Sequence, residues 1–236
     1  MNNRIRRIEV YDRSLDPISA EVWITVSAEC QTATTEVRGR LMGPCCLYSN
    51  TVEVAYPLRP VPSPLGAKAH HGAPGLTVRA LIPEACLWEP QSPFLYRGLV
   101  ELWQDGQCCD RIFLSHGLRS VQRKEHGLLV NGRLLTLRGQ RIALWSNEEA
   151  TRWRQAGYNL LIAPVAAGSL AVWEQADRWG FFVLGQLGED AEETHLMEIL
   201  RSHASCLGWL NPLCRTMSAE QAVNWYLNQA ACQPKT

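Results

Sequence analysis

Residues 127–139 read GLLVNGRLLTLRG, and the grammar of the chain changes across them. Asn131-Gly132 between two apolar runs predicts a hairpin with a two-residue turn. Upstream the pattern is strand-like: AEVWITVSAEC (20–30), TEVRGRLMG (35–43), NTVEVAYPL (50–58), GLTVRALI (75–82) and YRGLVELWQDGQCCDRIFL (96–114) are short and rich in Val, Ile, Thr and aromatics. Asp105-Gly106 predicts a further hairpin inside the last of these, and the proline-rich stretch from Arg59 to Pro74 reads as a loop. Antiparallel strands over about a hundred residues without a good helix predict an all-β domain, an immunoglobulin-like β-sandwich, over residues 1–122.

Downstream the reading alternates between helix and strand. Ser146 with Glu149 three residues on is a capping box, and the helix it opens should end near Gly157 before the strand NLLIAP (159–164). Ser169 is read as the cap of a second helix that Gly180 ends, followed by FFVLGQL (181–187). A third helix should begin near Asp190 and put Leu196, Ile199, Leu200 and His203 on one face, ahead of CLGWL (206–210). Ser218 and Gln221 form another capping box, behind which Ala219, Ala222, Val223, Tyr226, Leu227 and Ala230 recur at helical spacing. Nearly continuous apolar strands alternating with helices predict an α/β domain, a parallel sheet covered by helices, over residues 123–236. Four βα units in about 115 residues are half of what a closed eight-stranded barrel of about 250 residues needs. The expected fold is therefore multi-domain: a sandwich followed by a partial TIM-barrel-like domain. An open sheet edge would have to be covered by the last helix, by the sandwich or by another chain.

Composition narrows the function classes. Lys plus Arg and Asp plus Glu are equal at 23 each, so no net field favours nucleic acid or an acidic membrane surface. The N-terminal stretch lacks the apolar run of a secretory signal, and no stretch has membrane-spanning length, so the expected location is cytoplasmic. Nine cysteines without CxxC or zinc-ligand spacing are expected to be reduced thiols. No metal or other cofactor is expected, and His70-His71 falls in a Gly/Pro-rich loop.

Several phrases in this order resemble glycoside hydrolase family 2, which includes β-galactosidases, β-glucuronidases and β-mannosidases. They are Leu87-Trp88, Pro93 to Tyr96, Gly117-Leu118-Arg119, Leu129 to Gly132 and Leu137-Arg138-Gly139, at the join of sandwich and barrel in that family. RQAGYNLLIAP (154–164) and EQADRWGFFVLGQL (174–187) resemble its next two helix–strand units. The resemblance implies retaining glycosidases, which need an acid/base and a nucleophile carboxyl about 5 Å apart. In the family the acid/base is the Glu of an Asn-Glu pair beyond the fourth strand. HASCLGW (203–209) matches the lead-in, but the pair falls on Leu213 and Cys214. Cys214 thus stands where the acid should be, and a thiol with a reference pKa near 8.5 is a poor proton donor for a leaving group.

The resemblance therefore implies a protein without glycosidase activity and with no catalytic residue of its own. It would bind carbohydrate, or a protein, including a second copy, through the open sheet edge, with no nucleic-acid or membrane partner. The alternatives are one part of a glycosidase whose barrel a second chain completes, or a purely structural module. Candidate binding residues are Arg138, matching the family's active-site arginine at a strand end, Trp145 and Trp209 as stacking rings, and Glu189 beyond the third strand. Against each stands a plainer use: an ion-paired arginine, core tryptophans, and a carboxylate at a helix N-terminus.

Overall fold

The computed structural model describes residues 3–13, 15, 18–61, 75–124, 127–188 and 193–229, which divide into two compact units. His70-His71, Glu189, Asp190 and Ala230 lie outside the described residues.

The first unit holds Ile5–Arg13 (β1), Ser19–Ala28 (β2), Glu36–Cys45 (β3), Val54–Pro57 (β4), Arg59–Pro60 (β5), Leu76–Pro83 (β6), Leu95–Gln104 (β7) and Gln107–His116 (β8). They form two antiparallel four-stranded sheets, ordered β1-β2-β6-β5 and β4-β3-β7-β8. Alternation sets which face is buried: Ala20, Val22, Ile24 and Val26 of β2, Val78, Ala80 and Ile82 of β6, and Val100 and Leu102 of β7 are at or near zero exposure. Asp105 and Gly106 both take positive φ, 51° and 77°, which matches the twist of the β7–β8 hairpin. Gly39 and Gly98 sit where β3 and β7 approach closely. A Cβ on Gly98 would lie 1.8 Å from the Arg40 carbonyl oxygen, and one on Gly39 2.2 Å from that of Leu99.

The second unit takes in Cys46–Ser49 and Leu87–Pro93 as well as the chain from Arg119 on. It holds a small antiparallel sheet of Val121–Lys124 (β9), Gly127–Val130 (β10) and Arg133–Leu135 (β11), with Asn131 and Gly132 at φ 48° and 81° in the turn. A parallel sheet follows, made of Gly139–Arg141 (β12), Leu160–Pro164 (β13), Phe182–Gln186 (β14) and Cys206–Leu210 (β15) in that spatial order. The helices between them are Asn147–Gln155 (α1), Leu170–Trp179 (α2) and Glu193–Leu200 (α3), and Ala219–Gln229 (α4) comes last.

Local signals account for most boundaries. Ser146 Oγ accepts the Glu149 amide at 3.4 Å, and Gly180 ends α2 at φ 72°. Ser218 and Gln221 bond reciprocally ahead of α4. Two expectations are corrected. Ser169 does not cap α2 through its side chain. It closes a short 3-10 turn, Ala167–Ser169, its hydroxyl lying 2.6 Å from the Pro164 carbonyl oxygen and 2.7 Å from that of Ala166. Ile199 does not belong to the buried face of α3; Leu196, Met197 and Leu200 do, while Ile199 is 44% exposed.

One face of the parallel sheet packs on the helices. Leu161, Ala163 and Val183 join Ala150, Val172, Trp173, Ala176 and Leu200 in one buried cluster. The other face carries the alternate residues, Leu160, Ile162, Phe182, Leu184 and Leu210, all at 2% exposure or less. Helix α4 reaches both edge strands on that face. Val223 packs on Gly139 of β12, where a Cβ would come within 2.9 Å of Cγ2, and the Tyr226 hydroxyl donates to the Leu207 carbonyl of β15 at 2.8 Å. Ala222, Val223, Tyr226 and Leu227 are the buried side chains of α4. Helix α4 thus covers part of that face, and Trp88 and Arg119 lie against Phe182 on it.

Candidate functional site

In parallel sheets covered by helices, ligands bind beyond the C-terminal strand ends. Here those ends are Arg141, Pro164, Gln186 and Leu210. Asn211 accepts the Leu213 amide through its side chain at 3.0 Å and starts a 3-10 turn, Pro212–Thr216, that folds over the strand ends. Arg141 holds that turn from below. Its guanidinium donates to the carbonyls of Cys214 at 2.5 Å and Met217 at 3.1 Å, and to Gln186 Oε1 at 3.4 Å. Gln186, itself buried, donates to the carbonyls of Leu187 at 3.2 Å and Asn211 at 3.0 Å. The guanidinium thus satisfies backbone acceptors that a folded-over turn would otherwise leave without donors.

Cys214 lies within this turn at 1% exposure. Burial pushes its thiol up, and the neighbouring Arg141 charge only partly offsets that. Burial likewise raises Cys206, to about 11. Alkylation at neutral pH followed by mass mapping should modify Cys30 and Cys108, both exposed, well before Cys214 and Cys206. Equal rates at all four would contradict the buried turn.

Arg138 precedes β12 and so lies at the opposite, N-terminal end of the sheet from Arg141. Its amide donates to Asn159 Oδ1, and its guanidinium lies over the Tyr158 ring at 5.5 Å. The expectation of Arg138 at a C-terminal strand end is corrected accordingly: the residue with that position is Arg141, three places on. Trp145 donates to Asn147 Oδ1 and meets Trp153, Trp179 and Phe181 at centroid distances of 5.9–6.3 Å. Trp209 meets Trp173 at 5.7 Å and lies against Gly185, where a Cβ would be 2.4 Å from the indole. Both rings belong to the apolar packing between sheet and helices. Gly185→Ala should therefore cost about 1–3 kcal/mol by overpacking, read as a lower urea midpoint. An unchanged midpoint would mean that Trp209 is free to move aside.

A second polar cluster escaped the sequence reading. Asp177 of α2 is 2% exposed. One carboxylate oxygen lies 2.7 Å from His203 Nδ1, and the other accepts the Ser205 amide at 2.7 Å. Burial lowers the His203 pKa, but the Asp177 bond and charge outweigh it, and the net direction is up. The Trp88 indole donates to the Asp177 carbonyl at 2.8 Å. The one available signal was HASC (203–206) ahead of β15, whose distant partner is not legible in sequence.

Among the described residues no group of three or more His, Cys, Asp and Glu could hold a metal ion, and no helix is long and apolar enough to cross a membrane.

The chain has the fold of glycoside hydrolase family 2 enzymes over the part of them that it spans. A β-glycosidase from Bacteroides vulgatus superposes with a TM-score of 0.61 at 17% identity, over 97% of this chain and 32% of that one. A β-glucuronidase from Bifidobacterium dentium, complexed with coumarin-3-O-glucuronide, gives 0.62 at 16% identity over 88% and 37%. A glycosyl hydrolase family 2 member from Bacteroides cellulosilyticus gives 0.60 at 16% over 89% and 31%. The chain spans about a third of the length of these structures. No family model and no curated protein matches its sequence.

Proposed function

We propose that this chain is a glycoside hydrolase family 2-like protein without glycosidase activity, built of an immunoglobulin-like sandwich (1–122) and a partial TIM-barrel-like domain (123–236), and that its role is binding. The observation that carries the reading is the Arg141 clamp. On the family resemblance Cys214 stands at the acid/base position, and its thiol is buried in a turn tied down by a guanidinium, so no carboxyl at this position would serve a leaving group. Purified protein should release no aglycone from a panel of aryl β-glycosides, and Cys214→Glu should not change that. Turnover by the unaltered chain would sink the reading.

The alternative, a barrel completed by a second chain, is weakened by α4. Four side chains of that helix are buried, and it packs on β12 and β15, the two edge strands of the sheet. Light scattering should give a monomer whose mass does not rise with concentration. A dimer with hydrolytic activity would favour completion between chains.

A further inference from the structure

The outward face of β4-β3-β7-β8 in the first unit carries an open groove of about 570 Å³, within the usual size range of small-ligand sites. We infer that this groove binds an acidic saccharide, with Arg40 and Arg97 taking the carboxylate and Phe113 and Leu99 taking the apolar face of the sugar ring. The site belongs to the first unit and does not depend on the reading given for the strand ends of the parallel sheet.

The charges decide the ligand class. Met42 lies across from Arg97, and Arg40, two residues earlier on β3, shares its face. Side chains so related stand about 7–8 Å apart, near enough to repel when both are cationic. The neighbouring Arg38 and Glu101 are already engaged. Arg38 is ion-paired with Glu36 and stacked on Trp103 at 4.3 Å, while Glu101 accepts the Trp103 indole at 2.9 Å and lies across from Arg111. Arg40 and Arg97 make no ion pair among the described residues, and Arg97 and Glu53, which both line the groove, each hydrogen-bond the Cys45 thiol. Two neighbouring guanidiniums at one site suit a carboxylate, which each can hold through paired N–H donors.

Beside them Leu99 and Phe113 face each other across β7 and β8 and remain 38% and 64% exposed. An exposed ring next to charged groups fits a ligand with one apolar and one polar side, as a pyranose has. Glu53 and Glu101 then serve as hydroxyl acceptors. An acidic peptide such as a run of glutamates has no hydroxyls to offer these two carboxylates. Beneath the ligand, Gly39 and Gly98 pinch β3 and β7 together, so the floor is paired backbone.

The test is calorimetric titration of the full chain with tetragalacturonate, with maltotetraose as the neutral saccharide and tetraglutamate as the acidic peptide. Tetragalacturonate should bind with an affinity that falls as salt rises, and maltotetraose at least about tenfold more weakly. Arg40→Ala and Arg97→Ala should each weaken tetragalacturonate at least about tenfold, and Phe113→Ala should also weaken it. Arg40 is exposed, so its variant should keep the parent melting temperature even where that of Arg97 does not. No heat at millimolar tetragalacturonate, or affinity unchanged in Arg40→Ala, overturns the proposal. Equal binding of tetraglutamate overturns it in favour of an acidic protein partner. Glycosidase turnover would refute the binding-only reading above and leave this site untouched.

Discussion

Replacing Asp177 by alanine should lower the stability of the second unit by about 3–5 kcal/mol, the usual cost of removing one partner from a buried ion pair. Two partners are orphaned at once, the His203 imidazole and the Ser205 amide. The Ser205 amide is fully enclosed and has no route to water. Urea unfolding of the variant should give a lower midpoint with an unchanged slope. The pair also sets a pH dependence whose sign follows from the raised His203 pKa. A folded-state pKa above 6.5 means that the folded protein binds the proton more tightly than the unfolded chain does. The contribution is fully present below about pH 6.5 and is lost as pH rises through the folded value. Melting temperature should therefore fall in the parent as pH rises above about 6.5. The fall should be much smaller in Asp177→Asn, whose amide can accept from Ser205 but carries no charge. A parent profile that is flat over this window would remove His203 as its cause.

Trp88→Ala should cost a similar amount, about 3–5 kcal/mol, for a different reason. Trp88 has no exposure, meets Phe182 edge-on at 5.0 Å, and has the Arg119 guanidinium 5.7 Å from its ring centroid. Deleting the indole opens a cavity beside the inner face of the parallel sheet and leaves the Asp177 carbonyl without its donor. Trp88→Phe should recover part of the loss by filling the space without restoring the bond. Because the acceptor is the Asp177 main-chain carbonyl, the bond is removed by changing Trp88 and not by changing the Asp177 side chain. A Trp88→Phe variant as stable as the parent in urea unfolding would mean that the bond contributes little.

What could be read from residue order was whatever rests on neighbours along the chain. Asp105-Gly106 and Asn131-Gly132 set their hairpins because positive φ at successive positions is a local requirement. Ser146–Glu149 and Ser218–Gln221 placed helix starts because a cap bonds within one turn. The switch from alternating strands to apolar strands separated by helices gave the two-part organisation, and ordered phrases such as Leu87-Trp88 and Leu137-Arg138-Gly139 pointed to the glycosidase fold.

The candidate site resisted the same reading. Arg138 drew attention because it matched a phrase, yet it stands at the wrong end of its strand to reach the C-terminal ends. Arg141 looked unremarkable because its partners, Gln186, Cys214 and Met217, are 45, 73 and 76 residues away. The register of β12 against β13 and β14 brings them together, and register is a property of paired strands. The Asp177–His203 pair joins a helix to the approach of a strand 26 residues on. Trp145 and Trp209, read as candidate stacking rings against the plainer use as core, were assigned by what surrounds them, since an aromatic ring has the same chemistry in either place. The same holds for α4: its spacing announced an amphipathic helix, but the surface it covers was set by the spatial order of the strands, which puts Gly139 and Leu207 within its reach.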